Sequence, residues 1–222
     1  MTCNCASLTD ATARYFDERR VRSELATYRR VGPRATTQGL LGELTAAGQV
    51  PETLLDIGSG IGALTLGLLK AGVRHAVCVD MSRASLAAST EEAGRQGAAD
   101  RIEWVEGDFV AIAGRVPAAD LVTLDRVVCC YPAYAPLLEQ AAAHSRRLLA
   151  MSYPRDRWWV RAGVLAENAW FRLRGIGFRS YMHRPAAMTE LLQRLGFTRV
   201  RAAATWTWQI EVYSRVAPGP RG

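Results

Sequence analysis

The stretch "LLDIGSGIGALTLGLL", Leu54 to Leu69, decides the fold. It begins as a short apolar run ending in Asp56 and turns over Gly58, Gly60 and Gly62. It then continues as apolar residues at helical spacing, closed by Gly72. A buried strand that feeds a helix through a glycine turn opens a nucleotide-binding βαβ unit, because glycine accepts left-handed backbone and lets the main chain approach a ligand closely. The spacing is D-x-G-x-G-x-G, whereas a dinucleotide site carries G-x-G-x-x-G around a pyrophosphate. An acid beside the glycines suits a cation-bearing ligand better than a diphosphate.

Working outward, "HAVCVD" reads as a second buried strand ending in Asp80, and "SRASLAASTEEAGRQG" as a helix opened by Ser82 and closed near Gly97. "RIEWVEGD" gives a third strand ending in Asp108, "LVTLDRV" a fourth and "RRLLAMSYP" a fifth. Strands alternating with helices of this length predict an α/β fold, a doubly wound and mostly parallel sheet. A helix from about Ala186 to Leu195 follows, and then "TRVRAAATW" and "TWQIEVYSRV", two strands able to pair antiparallel. Upstream, residues 11 to about 47 read as helical with one break at Gly32-Pro33. The expected organisation is an N-terminal helical arm or lid over 1–48 and a catalytic domain over 49–216. Within that domain, about 155–185 form an insert, and a flexible tail covers 217–222.

The 222 residues suit one elaborated domain. No run of eighteen uncharged apolar residues occurs and no secretory leader opens the chain, so a cytoplasmic protein without a membrane span is expected. Its five cysteines are then reduced thiols. The net charge of +7 comes almost wholly from arginine, the single lysine being Lys70. The arginines are scattered with no basic tract, so an acidic substrate explains the charge as well as nucleic acid does.

The glycine turn, with acids closing the first three strands, resembles the class I S-adenosylmethionine-dependent methyltransferase family over residues 50–155. The two final strands suit its seven-stranded, Rossmann-like sheet. The resemblance implies S-adenosylmethionine as cofactor, leaving as S-adenosylhomocysteine. It implies that Asp56, Gly58, Gly60 and Gly62 hold the methionine end, Asp80 the ribose, and Asp108 with Phe109 the adenine, with Ser59, Met81 and Asp125 as further cofactor-binding residues. Taken singly, each acid could equally be a helix cap or a turn residue.

More narrowly, "YFDERRVRSELATYRRVGP" and "VTLDRVVCCYP" resemble the N-terminal arm and the "LD…HYP" region of magnesium-protoporphyrin O-methyltransferases. That implies methylation of a propionate carboxylate on a flat anionic macrocycle, with Tyr15 or Tyr28 as the tyrosine of the arm. The chain departs from that pattern at Cys130, where the family has histidine. An ionised carboxylate needs little general-base help, and orientation does most of the work. In the insert, Arg155, Arg157, Trp158 and Trp159 follow the fifth strand, where open α/β sheets place their ligands. With Arg126 they are the candidate substrate partners, arginine for a carboxylate and tryptophan for an apolar ring. Trp170 and Phe171 could instead simply pack on the sheet.

Cys130, Tyr131, Asp125 and one of the two tyrosines form the expected transfer site. Chain alternation would point Cys129 and Cys130 in different directions, Cys130 toward the reacting centre and Cys129 into the core with Cys78. The "MTCNCAS" terminus offers a second reading. Cys3 and Cys5, with Cys129 or Cys130, could present thiolates to a soft metal or metalloid, and the enzyme would then methylate sulfur or arsenic. No zinc-type spacing is present, so no resident metal is expected. Methylation of nucleic-acid amino groups would call for an appended module or an Asn/Asp-Pro-Pro-Tyr tetrad, neither of which the sequence shows. A retired, metal-sensing fold would call for spoiled cofactor residues, and these are intact. The expected partner is a small-molecule acceptor.

Overall fold

The computed structural model describes residues 5–46 and 50–216. Three helices come first: α1 (Cys5–Tyr15), α2 (Glu18–Val31) and α3 (Ala35–Thr45). The helical region therefore breaks twice, not once. The additional break falls at Phe16-Asp17, where the Asp17 carboxylate accepts from the Arg20 amide at 2.8 Å and caps α2. The tail at 217–222 and Cys3 lie outside the described residues, as does the side chain of Cys5.

From residue 53 the elements alternate as the sequence requires: β1 (Thr53–Ile57), α4 (Ala63–Ala71), β2 (His75–Asp80), α5 (Arg83–Arg95), β3 (Ile102–Glu106), the single turn α6 (Phe109–Ile112) and β4 (Ala119–Asp125). Then come α7 (Tyr134–His144), β5 (Ser145–Pro154), α8 (Trp158–Leu173), α9 (Pro185–Arg194), β6 (Phe197–Ala204) and β7 (Trp208–Arg215). They form one seven-stranded sheet in the order β3-β2-β1-β4-β5-β7-β6. All pairings are parallel except those of β7, which runs antiparallel to both β5 and β6. The chain first winds from β1 through β2 to β3, then crosses to β4 on the other side of β1. The carboxyl ends of β1 and β4 thus flank the switch point where such sheets hold ligands.

Period-two alternation sends neighbouring side chains to opposite faces. Leu54 and Leu121 pack under α3 and α4, while Leu55 and Val122 pack under α7 and α9. Helix α3 is consequently part of the core: Leu40 and Leu44 are buried against the sheet, and Gly39 lets the helix lie directly on Ile210 of β7. Helix α2 is held differently, by a small apolar cluster of Val21 and Leu25 with Ile61 and Ala88. Arg29 adds hydrogen bonds to Glu91 and Glu92 of α5. The α1–α2 segment thereby lies over the glycine turn.

Candidate active site

The glycine turn is built as the spacing predicts. Gly58, Gly60 and Gly62 have φ of 64°, 55° and 76°, conformations that L side chains rarely adopt. A Cβ on Gly58 would meet Val127, and one on Gly62 would meet Ser89, each at 2.5 Å. A Cβ on Gly60 would meet nothing and would stand in the cleft that Gly60 lines. That open cradle, with an acid on either side, fits the adenosylated methionine implied by the motif.

The acids divide into two kinds. Asp80 stands on the cleft wall, one oxygen accepting from the Gly60 amide and the other from the Ser82 amide, both at 2.8 Å. Burial raises its pKa to about 6, against these opposing hydrogen bonds. Asp56 is buried beneath the turn, where both oxygens are engaged, by the hydroxyls of Thr65 and Thr123 at 2.7 Å. It ties α4 to β4, and burial pushes its pKa to about 7. Asp108 caps α6 through the Val110 amide and accepts the Tyr131 hydroxyl at 2.7 Å. Its neighbours Gly107 and Phe109, together with Met81 and Ser59, face the cleft instead.

Beyond the glycine cleft lies a second cavity, and Phe16, Glu24, Thr27, Arg34, Arg126 and Cys130 line both. Its far wall brings together Tyr15, Glu167, Phe178 and Trp208. The two candidate tyrosines separate here. Tyr28 faces the glycine cleft, its hydroxyl 3.4 Å from Gln96 Nε2. Tyr15 faces the second cavity, its ring stacked on Phe178 at 4.2 Å and beneath the Arg20 guanidinium. Burial raises the Tyr15 pKa, against the opposing charge of Arg20.

The thiols depart from the alternation argument. Val128–Cys130 form a 3-10 turn, not an extended segment, so both sulfurs turn toward the Arg126 carbonyl, at 3.4 and 3.6 Å. Both line the second cavity. The Cys130 thiol is raised well above its ordinary pKa, first by hydrogen bonding with Cys129 and then by burial. Tyr131 is also raised, by burial and then by the Asp108 charge, and its phenol is spent on that carboxylate. No group of three or more potential metal ligands occurs among the described residues.

The insert behaves unlike its sequence reading. Arg155 donates to the Thr205 carbonyl, Trp159 stacks on Trp206, and Arg157 and Trp158 are exposed; none of the four lines either cavity. Trp170 is exposed, while Phe171 is buried in an aromatic cluster with Tyr15 and Phe178. The later part of the insert lies across the thiol turn. The Tyr181 amide donates to Cys129, and His183 Nε2 sits 2.9 Å from the Tyr131 carbonyl. Sequence reasoning missed Thr37, Ser152, Phe178 and Trp208. Only Trp208, the first residue of the strand that pairs with β5, carried a compositional signal.

Asp125 and Arg126 form the hinge between the cavities. Asp125 accepts from Thr37 at 2.6 Å and from Ser152 at 2.5 Å, and Ser152 in turn accepts from the Arg126 amide at 2.9 Å. Arg126 has φ of 64°, the only positive value for a non-glycine residue among those described.

Residues 54–151 match the family profile of a methyltransferase domain. A release factor glutamine methyltransferase of Cereibacter sphaeroides is 36% identical over 86 residues, 38% of this chain and 30% of that protein. The match thus spans under a third of that relative's length. Magnesium protoporphyrin IX methyltransferase of Synechocystis, solved with S-adenosylhomocysteine, is similar in fold at a TM-score of 0.67. It is 21% identical, with 81% of this chain and 82% of that chain covered. An O-methyltransferase family protein of Burkholderia thailandensis superposes at 0.70 with 15% identity, covering 90% of this chain and 61% of that one. Residues 54–151 thus match a methyltransferase domain, set in a chain that shares the fold of S-adenosylmethionine-dependent methyltransferases.

Proposed function

We propose that the protein transfers a methyl group from S-adenosylmethionine to an ionised oxygen of a small-molecule acid, as a cytosolic O-methyltransferase. One observation carries the choice of acceptor: the groups where the two cavities meet are unsuited to removing a proton. The Cys130 thiol is raised well above its ordinary pKa, Tyr131 donates to Asp108, both oxygens of Asp125 already accept hydroxyls, and Glu24, which also lines both cavities, is paired with Arg34. An acceptor that must lose a proton finds no free base there, whereas a carboxylate arrives ready to react. When bound, S-adenosylmethionine supplies a methyl on a sulfonium, which a carboxylate oxygen takes while the departing electron pair remains on sulfur. The residues of this chain then bind and orient. Gly58, Gly60 and Asp80 hold the methionine and ribose portions, and Phe109 lies beside the base. The α1–α2 arm and the buried face of the insert cover the acceptor.

The likeness in fold to a magnesium protoporphyrin IX methyltransferase, and the aromatic walls of the second cavity, support a large flat acid as the first acceptor to try. The deciding experiment incubates purified protein with methyl-labelled S-adenosylmethionine and a panel of acceptors, with products identified by mass spectrometry. The panel holds magnesium protoporphyrin, aromatic and aliphatic acids, phenols, thiols and arsenite. A methyl ester is expected. A methylated sulfur or arsenic would replace this reading with thiol or metalloid methylation at the Cys129-Cys130 pair. Asp80→Ala should abolish binding of S-adenosylhomocysteine, and unchanged affinity would remove the ribose assignment.

A further inference from the structure

Arg126 is set apart by four observations. Its backbone is left-handed, a conformation that costs a non-glycine residue on the order of 1 kcal/mol or more. That conformation is held by the Ser152 hydroxyl on its amide, and Ser152 is itself fixed by Asp125. Its side chain is half-buried, and the guanidinium lies 5.2 Å from the Trp208 ring. Its Nε is buried with no hydrogen-bond partner, and among the described residues it forms no ion pair.

The acids around it are all otherwise engaged. Glu24 pairs with Arg34, Asp17 caps α2, Glu167 accepts from Ser180, and Asp125 holds two hydroxyls. A half-buried cation without a counter-charge is costly, and a conformation strained to place it persists where a ligand uses it. Arg126 also borders the cleft fitted for a sulfonium. Two cations side by side repel unless an anion lies between them.

We infer that Arg126 is the acceptor's carboxylate anchor: it binds an anionic oxygen of an aromatic acid in the second cavity, with Trp208, Tyr15 and Phe178 against the ring. This rests on the methyltransferase reading and adds to it the residue that sets acceptor class. The guanidinium fork orients an ionised carboxylate and discriminates against its neutral amide, while aromatic walls accept either.

The test uses the full-length protein saturated with S-adenosylhomocysteine and titrated calorimetrically with 2-naphthoate and 2-naphthamide. The unaltered protein should bind the acid about tenfold or more tightly than the amide, the scale of one charge-assisted hydrogen bond. Arg126→Asn, chosen because asparagine tolerates left-handed backbone, should erase that preference and leave S-adenosylhomocysteine affinity within about twofold of its original value. Arg126→Lys keeps the charge without the fork and should retain part of the preference, which covers the case in which the asparagine variant folds poorly. Arg155→Gln should retain all of it.

Persistence of the preference in Arg126→Asn, or no preference in the unaltered protein, would overturn the inference alone. A tenfold loss of S-adenosylhomocysteine affinity in Arg126→Asn would overturn it by giving Arg126 to the methionine carboxylate. Failure of the unaltered protein to bind S-adenosylhomocysteine would overturn the parent reading as well.

Discussion

Thr37 in the first turn of α3 donates its hydroxyl to Asp125 at the end of β4 across 2.6 Å, joining residues 88 positions apart in sequence. Ser152 on β5 holds the other oxygen of Asp125 and also accepts the Arg126 amide. One carboxylate and two hydroxyls therefore fix the backbone where the cavities meet. Thr37→Val keeps the shape and removes one bond, which should cost about 1 kcal/mol in urea unfolding. Ser152→Ala removes two bonds at once and should cost more. Equal losses would show that the Arg126 amide gains nothing from Ser152.

The glycine turn predicts that stability and cofactor affinity can be separated. Gly60→Ala introduces strain of roughly 1 kcal/mol at a left-handed residue, with no clash, but its methyl enters the cleft. S-adenosylhomocysteine affinity should fall by about tenfold or more, while urea unfolding shifts little. Gly58→Ala adds a collision with Val127 to the same strain and should destabilise by about 2–3 kcal/mol. If Gly60→Ala bound S-adenosylhomocysteine normally, the cradle would lie elsewhere.

Asp56 gives a pH dependence with a definite sign. Its folded pKa, about 7, is raised above the ordinary carboxylate value of 3.8, chiefly by burial. Between those values the folded state holds a proton that the unfolded chain has released. The contribution of Asp56 is therefore most favourable below the unfolded value, declines as pH rises toward 7, and is flat above. Asp56→Asn removes this slope, so the variant should gain stability relative to the parent as pH rises from 4 to 7. Urea midpoints measured across that range check it, and a constant difference would contradict the assignment.

Glu92 has the opposite sign. Hydrogen bonds from Arg95, and further ones from Gln96 and Arg29, outweigh burial and hold its pKa down to about 2. Its stabilisation is present above the unfolded value near 4.5 and is lost as pH falls toward 2. Because Arg29 belongs to α2, the pair also docks the arm whose Glu24, Thr27 and Tyr28 line the cleft. Glu92→Gln should cost about 1–2 kcal/mol, less than a fully buried pair because both guanidiniums reach water. It should also weaken S-adenosylhomocysteine binding. Loss of stability with unchanged binding would separate arm docking from the site.

The sheet and the glycine turn were legible because their signals are local. A left-handed turn needs glycine within a few residues, a buried parallel strand needs a short β-branched run, and strand-end acids follow directly from strand ends. The break at Asp17 was not read, because helical composition runs unbroken on both sides of the capping aspartate. The acids show the limit. Asp56, Asp80 and Asp108 all read as strand-end acids, yet Asp56 is tied by two hydroxyls, Asp80 accepts two amides at the end of β2, and Asp108 lies past the end of β3 and caps a helix. What separates them is which hydroxyls and amides the neighbouring elements bring within reach.

The sequence by itself determined a doubly wound, mostly parallel sheet and a left-handed glycine turn after its first strand, because period, turn chemistry and strand order act over short distances along the chain. Only the tertiary structure decided that Tyr15 and not Tyr28 faces the second cavity, that both thiols share one carbonyl, and that Arg126 and Arg34, not Arg155 or Arg157, line both cavities. Those outcomes depend on α3 and β5 clamping Asp125 and on β7 bringing Trp208 beside Arg126. Such contacts join residues tens of positions apart and leave no periodic trace in the chain.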